Sequence, residues 1–210
     1  MKAGIFISVE GSEGAGKSSN LALLRDYLLA KNLDVCCVRE PGGTVLGEEI
    51  RRLLNRDDIF PPMCQESELL LFLASRAQIV REKILPALEA GSIVLCDRYF
   101  DSTVAYQSGA RAISEDTVKT LNAFVAGCCV PDLTFLLDLS PEEGLRRIYG
   151  RCNTLDRLER ESSEFFQKVR HSYLRIAREE PRRVHVIDAG VPLASIQQEM
   201  RRVVGERFGL

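Results

Sequence analysis

The 210-residue sequence has little net charge and no long apolar run. Its 28 Lys and Arg against 30 Asp and Glu give a formal net charge of −2, which argues against general nucleic-acid binding. No apolar run approaches the roughly 20 residues of a membrane-spanning helix. The first residues also show no charged segment followed by an apolar one, as a secretory signal would. These absences predict a cytoplasmic protein that binds neither nucleic acid nor a membrane.

The cysteines and histidines form neither a disulfide framework nor a zinc motif. No two cysteines have the C-x-x-C spacing, and His171 and His185 show no ligand spacing. We therefore expect the cysteines to be small buried apolar side chains in a reducing compartment, and neither histidine to be catalytic. The seven cysteines are Cys36, Cys37, Cys64, Cys96, Cys128, Cys129 and Cys152.

Residues Gly11–Ser18 match the phosphate-binding pattern G-x-x-x-x-G-K-[ST]. An apolar stretch precedes them and a helical pattern follows, as the motif requires. The glycines let backbone N–H groups surround phosphates, and the helix adds the positive end of its dipole. Lys17 is expected to contact the β- and γ-phosphates and Ser18 to ligate Mg²⁺. The motif predicts that a nucleoside triphosphate is bound by Gly11, Ser12, Glu13, Gly14, Ala15, Gly16, Lys17, Ser18 and Ser19.

Short apolar stretches alternate with helical patterns, and no repeat or linker interrupts them. This alternation predicts a single three-layer α/β domain of the P-loop NTPase type over residues 1–210, with a five-stranded parallel sheet and helices on both faces. Strands are expected at Ile5–Val9, Asp34–Val38, Ile93–Cys96, Leu133–Leu139 and Val184–Ile187. Helices are expected at Lys17–Lys31, Gly47–Leu54, Glu66–Glu89, Glu115–Ala126, Pro141–Tyr149, Glu159–Glu180 and Leu193–Phe208.

Charged residues follow the second and third predicted strands, as Arg39–Thr44 and Asp97–Tyr99. Ligands of open parallel sheets bind beyond the carboxyl ends of the strands. Asp97 could hold Mg²⁺ directly or through water, and Arg98 could grip a phosphate with two parallel hydrogen bonds. The alternative is that the two side chains pair with each other. If Asp97 holds Mg²⁺ and Arg98 grips a phosphate, this edge of the sheet is a cleft for phosphoryl transfer.

Several motifs stand in the order typical of bacterial thymidylate kinases, which the chain resembles over about residues 5–160. The motifs are Gly11–Ser18, Arg39–Thr44, Leu71–Arg76, Asp97–Tyr99, Tyr106-Gln107 and Leu155–Arg157. The resemblance implies transfer of the γ-phosphoryl group of ATP, with Mg²⁺, to dTMP, giving dTDP for dTTP synthesis. Because the acceptor is already an anionic phosphate, no strong general base is needed.

The resemblance also implies roles for residues around the acceptor's base and sugar. Phe72 would stack on thymine, although an aromatic in this apolar stripe could equally be core. Arg76 would hydrogen-bond a thymine carbonyl. Thr103 and Gln107 would meet the polar edge of the base, although Thr103 could equally cap a helix. Tyr106 would pack near the sugar and disfavour a 2′-hydroxyl.

A second group of residues is implied at the sugar hydroxyl and the acceptor phosphate. Glu13 would reach the 3′-hydroxyl from within the phosphate loop. Arg39, Arg51 and Arg98 would surround the phosphate, and Glu40 would hold these arginines. The resemblance further implies a homodimer formed through helices, for which Ile79, Val80 and Leu85 are candidate contacts or, equally, core residues.

Residues 146–158 match the mobile, arginine-rich lid of the family. The phosphate loop lacks an arginine, so lid arginines are expected to approach the transferred group. Which of them is catalytic stays open, because Arg151–Thr154 is one residue longer than the usual pattern. A run of glycines is also replaced by Ser108–Arg111, with an expected effect on loop stiffness only. The candidate catalytic residues are Lys17, Asp97, Arg98, Arg147, Arg151 and Arg157.

Two other functions compete with this interpretation. The nearest is the same transfer to a nucleoside or to another monophosphate, which Arg39 and Arg98 near a phosphate would help to distinguish. The second is a P-loop switch protein. A guanine-specific switch normally carries Asn-Lys-x-Asp after a later strand, where this chain has Ser140–Glu143, so this alternative is disfavoured.

Overall fold

The computed structural model describes residues 4–56, 62–151 and 157–210, without the side chain at position 151. Its described strands form a parallel sheet in the order β2-β3-β1-β4-β5. This confirms the predicted five-stranded parallel α/β sheet. The strands are β1 (Ile5–Glu10), β2 (Val35–Arg39), β3 (Ile93–Asp97), β4 (Leu133–Asp138) and β5 (Val184–Asp188).

Strand β1 lies at the centre of the sheet and is almost entirely buried. Ile7 pairs with Leu95 of β3 on one side and with Leu133 of β4 on the other. A strand covered on both faces is apolar throughout rather than alternating, which is why its sequence reads as a continuous run. The register also places Val9 beside Asp97, so the carboxyl ends of β1 and β3 meet at one edge.

Helices cover both faces of this sheet. The described core has three clusters of buried apolar side chains. The first contains Leu24, Leu28, Met200 and Phe135, the second contains Leu136, and the third contains Phe6. The helices are α1 (Lys17–Leu29), α2 (Val45–Leu54), α3 (Gln65–Ile79), α4 (Leu85–Glu89), α5 (Phe100–Thr103), α6 (Glu115–Ala126), α7 (Pro141–Arg151), α8 (Ser163–Glu179) and α9 (Leu193–Phe208). None of the described helices is both long and apolar enough to cross a membrane.

Two π-helical segments were not predicted. Val80–Ile84 joins α3 to α4, where one continuous helix was expected, and Val104–Ala110 continues α5. The helical stretch from residue 100 was missed because Thr103 and Gln107 are polar yet buried, which breaks the apolar periodicity. The capping alternative for Thr103 is wrong, since it is the last residue of α5 and Tyr99 precedes the helix without a side-chain cap.

Other expectations about burial have mixed outcomes. Ile79 and Val80 are fully buried core residues, which rules them out as interface contacts, whereas Leu85 packs against the same cluster and stays partly exposed. Cys96 and Cys129 are buried as expected and Cys36 is partly exposed. The expectation of burial is wrong for Cys37, which lies on edge strand β2, and for two cysteines that lie outside helices and strands. The exposed cysteines are Cys37, Cys64 and Cys128, and Cys152 lies outside the described residues.

A buried polar cluster fastens α5 to the sheet. Arg183 donates from Nη1 and Nη2 to Asp101 Oδ2 and Oδ1 at 2.6 and 2.8 Å. The same Nη1 lies 2.7 Å from Thr134 Oγ1 on β4. Thr134 in turn shares a 2.7 Å hydrogen bond with Ser8 on β1. The buried charge of Arg183 is therefore balanced by a single carboxylate of α5 and one partly exposed neighbour, Glu180.

Replacing Asp101 by Ala should lower the free energy of unfolding by about 3–5 kcal/mol, because it leaves a buried guanidinium without its main partner. Urea unfolding measures this loss. Glu206→Ala is the control, since it removes an exposed ion pair with Arg202 that contributes at most about 1 kcal/mol. Equal effects of the two substitutions would contradict the assigned role of the buried pair.

Candidate active site

A cleft of about 270 Å³ opens beyond the carboxyl ends of β1, β2 and β3, where parallel sheets bind ligands. Its walls come from the phosphate loop, the segment after β2, helix α3 and the helical stretch from residue 100. The cleft brings together most residues that the sequence predicted. These are Glu13, Gly14, Lys17, Ser18, Arg39, Glu40, Arg51, Phe72, Arg76, Asp97, Arg98, Thr103, Tyr106 and Gln107.

The phosphate loop has the backbone conformation that its glycines allow. Gly14 has φ +75°, and a Cβ atom there would lie 2.4 Å from the carbonyl oxygen of Gly144 on α7. Lys17 begins α1 and folds back over the loop, where Nζ donates to the carbonyl oxygens of Gly11 and Ser12 at 3.0 and 2.8 Å. The ammonium group is thus already held above the loop that would surround the phosphates.

Asp97 and Ser18 form one side of the cleft floor. Ser18 Oγ donates to Asp97 Oδ2 at 2.5 Å, which joins the start of α1 to the end of β3. Arg98 forms its ion pair with Glu13, 2.7 Å from Nη2 to Oε1. Asp97 and Arg98 therefore have separate partners, and the alternative in which they pair with each other is wrong.

Arg98 contacts both the phosphate loop and the cleft wall formed by the helical stretch from residue 100. Its Nη1 donates to Gly11 O at 3.0 Å, and its guanidinium lies 5.2 Å from the ring centroid of Tyr106. Tyr106 donates to Glu13 Oε2 at 2.5 Å. Arg98 also has φ +66°, the left-handed region that non-glycine residues rarely adopt. Strained conformations of this kind cluster at functional sites.

Arg76 is fully buried and is held by three other side chains. Its Nε and Nη2 donate to Glu40 Oε2 at 2.8 and 2.5 Å, and its Nη1 donates to Thr103 and Asn122 at 2.8 and 2.6 Å. Burial raises the pKa of Glu40, against the opposing effect of this guanidinium. Within the described residues, Glu40 Oε1 is buried without a hydrogen-bond partner.

The expectation that Glu40 holds Arg39, Arg51 and Arg98 is wrong. Glu40 instead accepts from Arg76, and the other arginines have different partners. Arg39 Nη2 lies 2.7 Å from both carboxylate oxygens of Glu48 in the first turn of α2. Arg51 Nη1 donates to Pro41 O at 3.0 Å. Arg39 and Arg51 nevertheless line the cleft. The expectation rested on the resemblance alone, and no pattern in the sequence links Glu40 to Arg76, 36 residues away.

Phe72 is half-buried and lines the cleft, whereas Leu69 and Leu73 beside it are 3% exposed. It lies one helical turn before Arg76, so both side chains project from one face of α3. The alternative that Phe72 is a core residue is therefore wrong.

The lid arginines differ in what they contact. Arg157 donates from Nη2 to Glu68 Oε2 at 2.5 Å and from Nε to Leu54 O at 2.8 Å. Arg147 pairs with Glu143 at 2.8 Å, and its Nη1 lies 3.5 Å from Gly14 O of the phosphate loop. Of the candidates whose side chains are described, Arg147 is the one in contact with that loop. The side chain of Arg151 and residues 152–156 of the lid lie outside the described part of the chain.

Glu68 collects polar partners from several elements. Gln107 Nε2 donates to its Oε1 at 3.1 Å, and Arg111 Nε lies 3.3 Å from the same oxygen. Arg111 also pairs with Glu161 at 2.6 Å. The Ser108–Arg111 departure therefore does more than alter loop stiffness, because its arginine joins α3 to the segment that follows the lid.

Sequence reasoning missed further polar residues around the cleft. Glu10 is fully buried at the end of β1, and burial, followed by the nearby Asp101 carboxyl, raises its pKa to about 7. A charged residue at the end of an apolar strand was an available signal. Four further polar residues lie in helices without a motif, and only the fold shows that they contact residues lining the cleft. They are Glu48, Glu68, Asn122 and Tyr173.

A thymidylate kinase family model matches residues 9–200 of the chain. The thymidylate kinase of Pseudomonas fluorescens (strain Pf0-1) is 46% identical over 203 residues, which covers 96% of this chain and 95% of that protein. That of Protochlamydia amoebophila (strain UWE25) is 42% identical, with 98% of this chain and 94% of that protein covered. The crystal structure of thymidylate kinase from Ehrlichia chaffeensis has a TM-score of 0.78 at 33% identity and covers 96% of this chain and 99% of its own. Because family model, relatives and structure agree over nearly the whole chain, it belongs to the thymidylate kinase family and is a nucleoside monophosphate kinase.

Proposed function

We propose that this chain transfers the γ-phosphoryl group of ATP to dTMP, giving ADP and dTDP. The observation that carries the proposal is the position of Arg98, which contacts the phosphate loop through Gly11 O and the opposite wall through the Tyr106 ring. A cation at this point would lie between a bound triphosphate and a bound monophosphate. Membership of the thymidylate kinase family supports the choice of dTMP.

On the donor side, the backbone N–H groups of the phosphate loop and Lys17 would bind the triphosphate of ATP. Lys17 Nζ would exchange its hydrogen bonds to Gly11 O and Ser12 O for phosphate oxygens. Positively charged groups placed in advance around the phosphates stabilise the charge that develops during transfer. Lys17 therefore has a catalytic role in this proposal.

The residues near the phosphates are also suitable for Mg²⁺. Mg²⁺ prefers hard oxygen ligands and is bound through one or two carboxylates together with phosphates and water. Ser18 Oγ and the Asp97 carboxylate offer such oxygens 2.5 Å apart at the cleft. When bound, Mg²⁺ would neutralise charge on the phosphate oxygens. Asp97 would ligate it directly or through water.

On the acceptor side, Phe72 would offer its ring face to thymine. Arg76 would donate to a thymine carbonyl, since a guanidinium has five N–H donors and its Nη2 is engaged here only with Glu40. Thr103 and Gln107 would complete the polar edge of this pocket. Gln107 Nε2 donates to Glu68 Oε1. This hydrogen bond orients the side-chain carbonyl oxygen of Gln107 so that it would face the ligand.

The sugar and phosphate of dTMP would lie between the base pocket and the loop. Tyr106 and Glu13 form a 2.5 Å hydrogen bond, and this pair would meet the sugar, with Glu13 accepting from the 3′-hydroxyl. Arg39, Arg51 and Arg98 would surround the acceptor phosphate. This cationic surrounding favours a monophosphate over a nucleoside with a neutral 5′-hydroxyl.

Among the lid arginines, the contacts favour Arg147 as the one nearest the transferred group. It lies on α7 with Nη1 at 3.5 Å from Gly14 O. Arg151 on the same helix remains part of the proposal without a described side chain. Arg157 would act at a distance, because Glu68 and the Leu54 carbonyl hold it on α3 and α2.

We also propose that the chain forms a homodimer in the cytoplasm. Leu70 on α3 and Phe124 on α6 are 57% and 84% exposed, and these two helices pack against each other. Contiguous exposed apolar patches mark association surfaces, and these two side chains on neighbouring helices would contribute to one. The six described cysteines are unpaired, which fits a reducing compartment.

Coupled ADP-release assays should show that dTMP is the preferred acceptor. dUMP lacks the 5-methyl group and should have a kcat/KM at least about 10-fold lower. Thymidine should be at least about 100-fold poorer, because charge-assisted hydrogen bonds to the phosphate, worth about 1.5–3 kcal/mol each, are lost. The Lys17→Ala variant, inactive with every acceptor, excludes a contaminating kinase. A preference for thymidine would overturn the proposal.

The affinity of the free enzyme for ATP should fall as the pH rises through about 8. Burial, followed by the neighbouring Arg98, lowers the pKa of Lys17 to about 8, so the protonated ammonium is present below this pH and is lost above it. Between pH 7 and 9 we expect about tenfold weaker binding of a non-hydrolysable ATP analogue by titration calorimetry. Lys17→Met, which has no proton to lose, should bind weakly at both pH values. A flat profile for the unmodified enzyme would contradict this assignment.

Light scattering during size exclusion should give about twice the 23.5 kDa chain mass. Leu70→Asp combined with Phe124→Asp should yield a folded monomer, because two charges cannot be desolvated at the interface. Val191→Asp, a change at a 38% exposed position before α9, is the matched control and should stay dimeric. A monomeric unmodified chain would disprove the dimer.

A further inference from the structure

Glu10 is a buried carboxylate that none of the roles above uses. It ends β1, directly before the phosphate loop, and its side chain is fully buried. Tyr99 N–H donates to Oε1 at 2.7 Å, while Ser102 Oγ and Tyr173 Oη lie 2.6 and 3.1 Å from Oε2. A buried charge is retained only where such hydrogen bonds compensate its desolvation. Glu10 thereby connects β1 with the segment after β3, α5 and α8.

These contacts surround Arg98 on both sides of its backbone. Arg98 N–H donates to Val9 O at 3.0 Å, and the next N–H, that of Tyr99, donates to Glu10. The end of β1 therefore fixes the two peptide groups that flank the left-handed φ of +66°. A sparsely populated conformation persists where the surroundings determine it in this way.

The guanidinium of Arg98 is oriented by the same carboxylate through two hydroxyl groups. Nη1 lies 3.4 Å from both Ser102 Oγ and Tyr173 Oη, and these two oxygens are 2.7 Å apart. Because Ser102 Oγ donates its hydrogen to Glu10, its lone pairs are left to face the guanidinium. An amide in place of the carboxylate would add an N–H₂ donor and disturb this order of donors and acceptors.

We propose that Glu10 is a positioning residue that acts through the Tyr99 N–H and the Ser102–Tyr173 hydroxyl pair to hold Arg98 where it meets the acceptor phosphate. The proposal rests on the function given above, in which Arg98 contacts that phosphate. Glu10 itself touches neither substrate. Its removal should therefore affect the acceptor monophosphate much more than ATP.

Steady-state kinetics of Glu10→Gln test this selectivity. We expect KM for dTMP to rise about 10-fold or more, as for loss of an interaction with a charged group, while KM for ATP changes less than about twofold. Ser102→Ala and Tyr173→Phe leave the carboxylate in place and interrupt the hydroxyl pair. They should raise KM for dTMP by about three- to tenfold, and they also serve if Glu10→Gln fails to fold.

A double-mutant cycle with Arg98→Lys identifies the residue through which Glu10 acts. If the effect passes through Arg98, Glu10→Gln should raise KM for dTMP less than about twofold in the Arg98→Lys background. Thr134→Val is the structural control. It removes a buried hydroxyl of the cluster below α5, so it should lower the melting temperature and leave both KM values unchanged.

Several results would overturn the proposal. They are an unchanged KM for dTMP in Glu10→Gln and in both hydroxyl variants, an equal rise of both KM values, or full additivity with Arg98→Lys. Wild-type turnover of dTMP tests the proposed function separately. The comparison of variants uses whichever monophosphate the wild-type enzyme accepts, so the two proposals can fail independently.

Discussion

The contact between the end of β1 and the chain that leaves β3 sets the geometry of the whole cleft. Val9 and Asp97 are paired in the sheet, Arg98 N–H donates to Val9 O, and Arg98 Nη1 donates to Gly11 O. The phosphate loop begins at the end of β1, and Arg98 directly follows the end of β3. Phosphoryl transfer depends on alignment within fractions of an ångström, because a displacement of about 1 Å can cost about 100-fold in rate. Two adjacent parallel strands provide that alignment through backbone hydrogen bonds.

The charges buried around this contact contribute more to shape than to stability. Arg76 with Glu40, and Arg183 with Asp101, are buried ion pairs that join elements distant in sequence. A buried pair gains little over well-packed apolar residues, since desolvation offsets much of the attraction. Such a pair instead fixes the orientation of a side chain, because a guanidinium with several fixed partners cannot rotate freely. Arg76 on α3 is held in this way from α5, α6 and the segment after β2, so its orientation in the cleft is fixed by the fold itself.

Features that depend on local sequence could be predicted, whereas those that depend on topology could not. The strands and the phosphate loop follow from apolar runs and glycines, and β1 differs from its predicted bounds only by Glu10. The helical stretch from residue 100 was missed because its buried Thr103 and Gln107 serve the cleft and break the apolar pattern. The hydrogen-bond partners were missed for a different reason, which is their separation along the chain. Glu40 reaches Arg76, 36 residues away, and Glu10 reaches Tyr173, 163 residues away, and no spacing rule connects such positions.

The phosphate loop contains no arginine, so the guanidinium groups that contact it come from neighbouring elements. Arg98 supplies one from the end of β3, and α7 brings Arg147 to the loop at Gly14. Arg157, at the far end of the lid, is instead bound by Glu68, which also accepts a hydrogen bond from Gln107 of the cleft wall. One carboxylate on α3 thus joins the cleft to the end of the lid. Because an ionised carboxylate offers only acceptors, Gln107, Arg111 and Arg157 share the two oxygens of Glu68, and the position of each of these side chains depends on the other two.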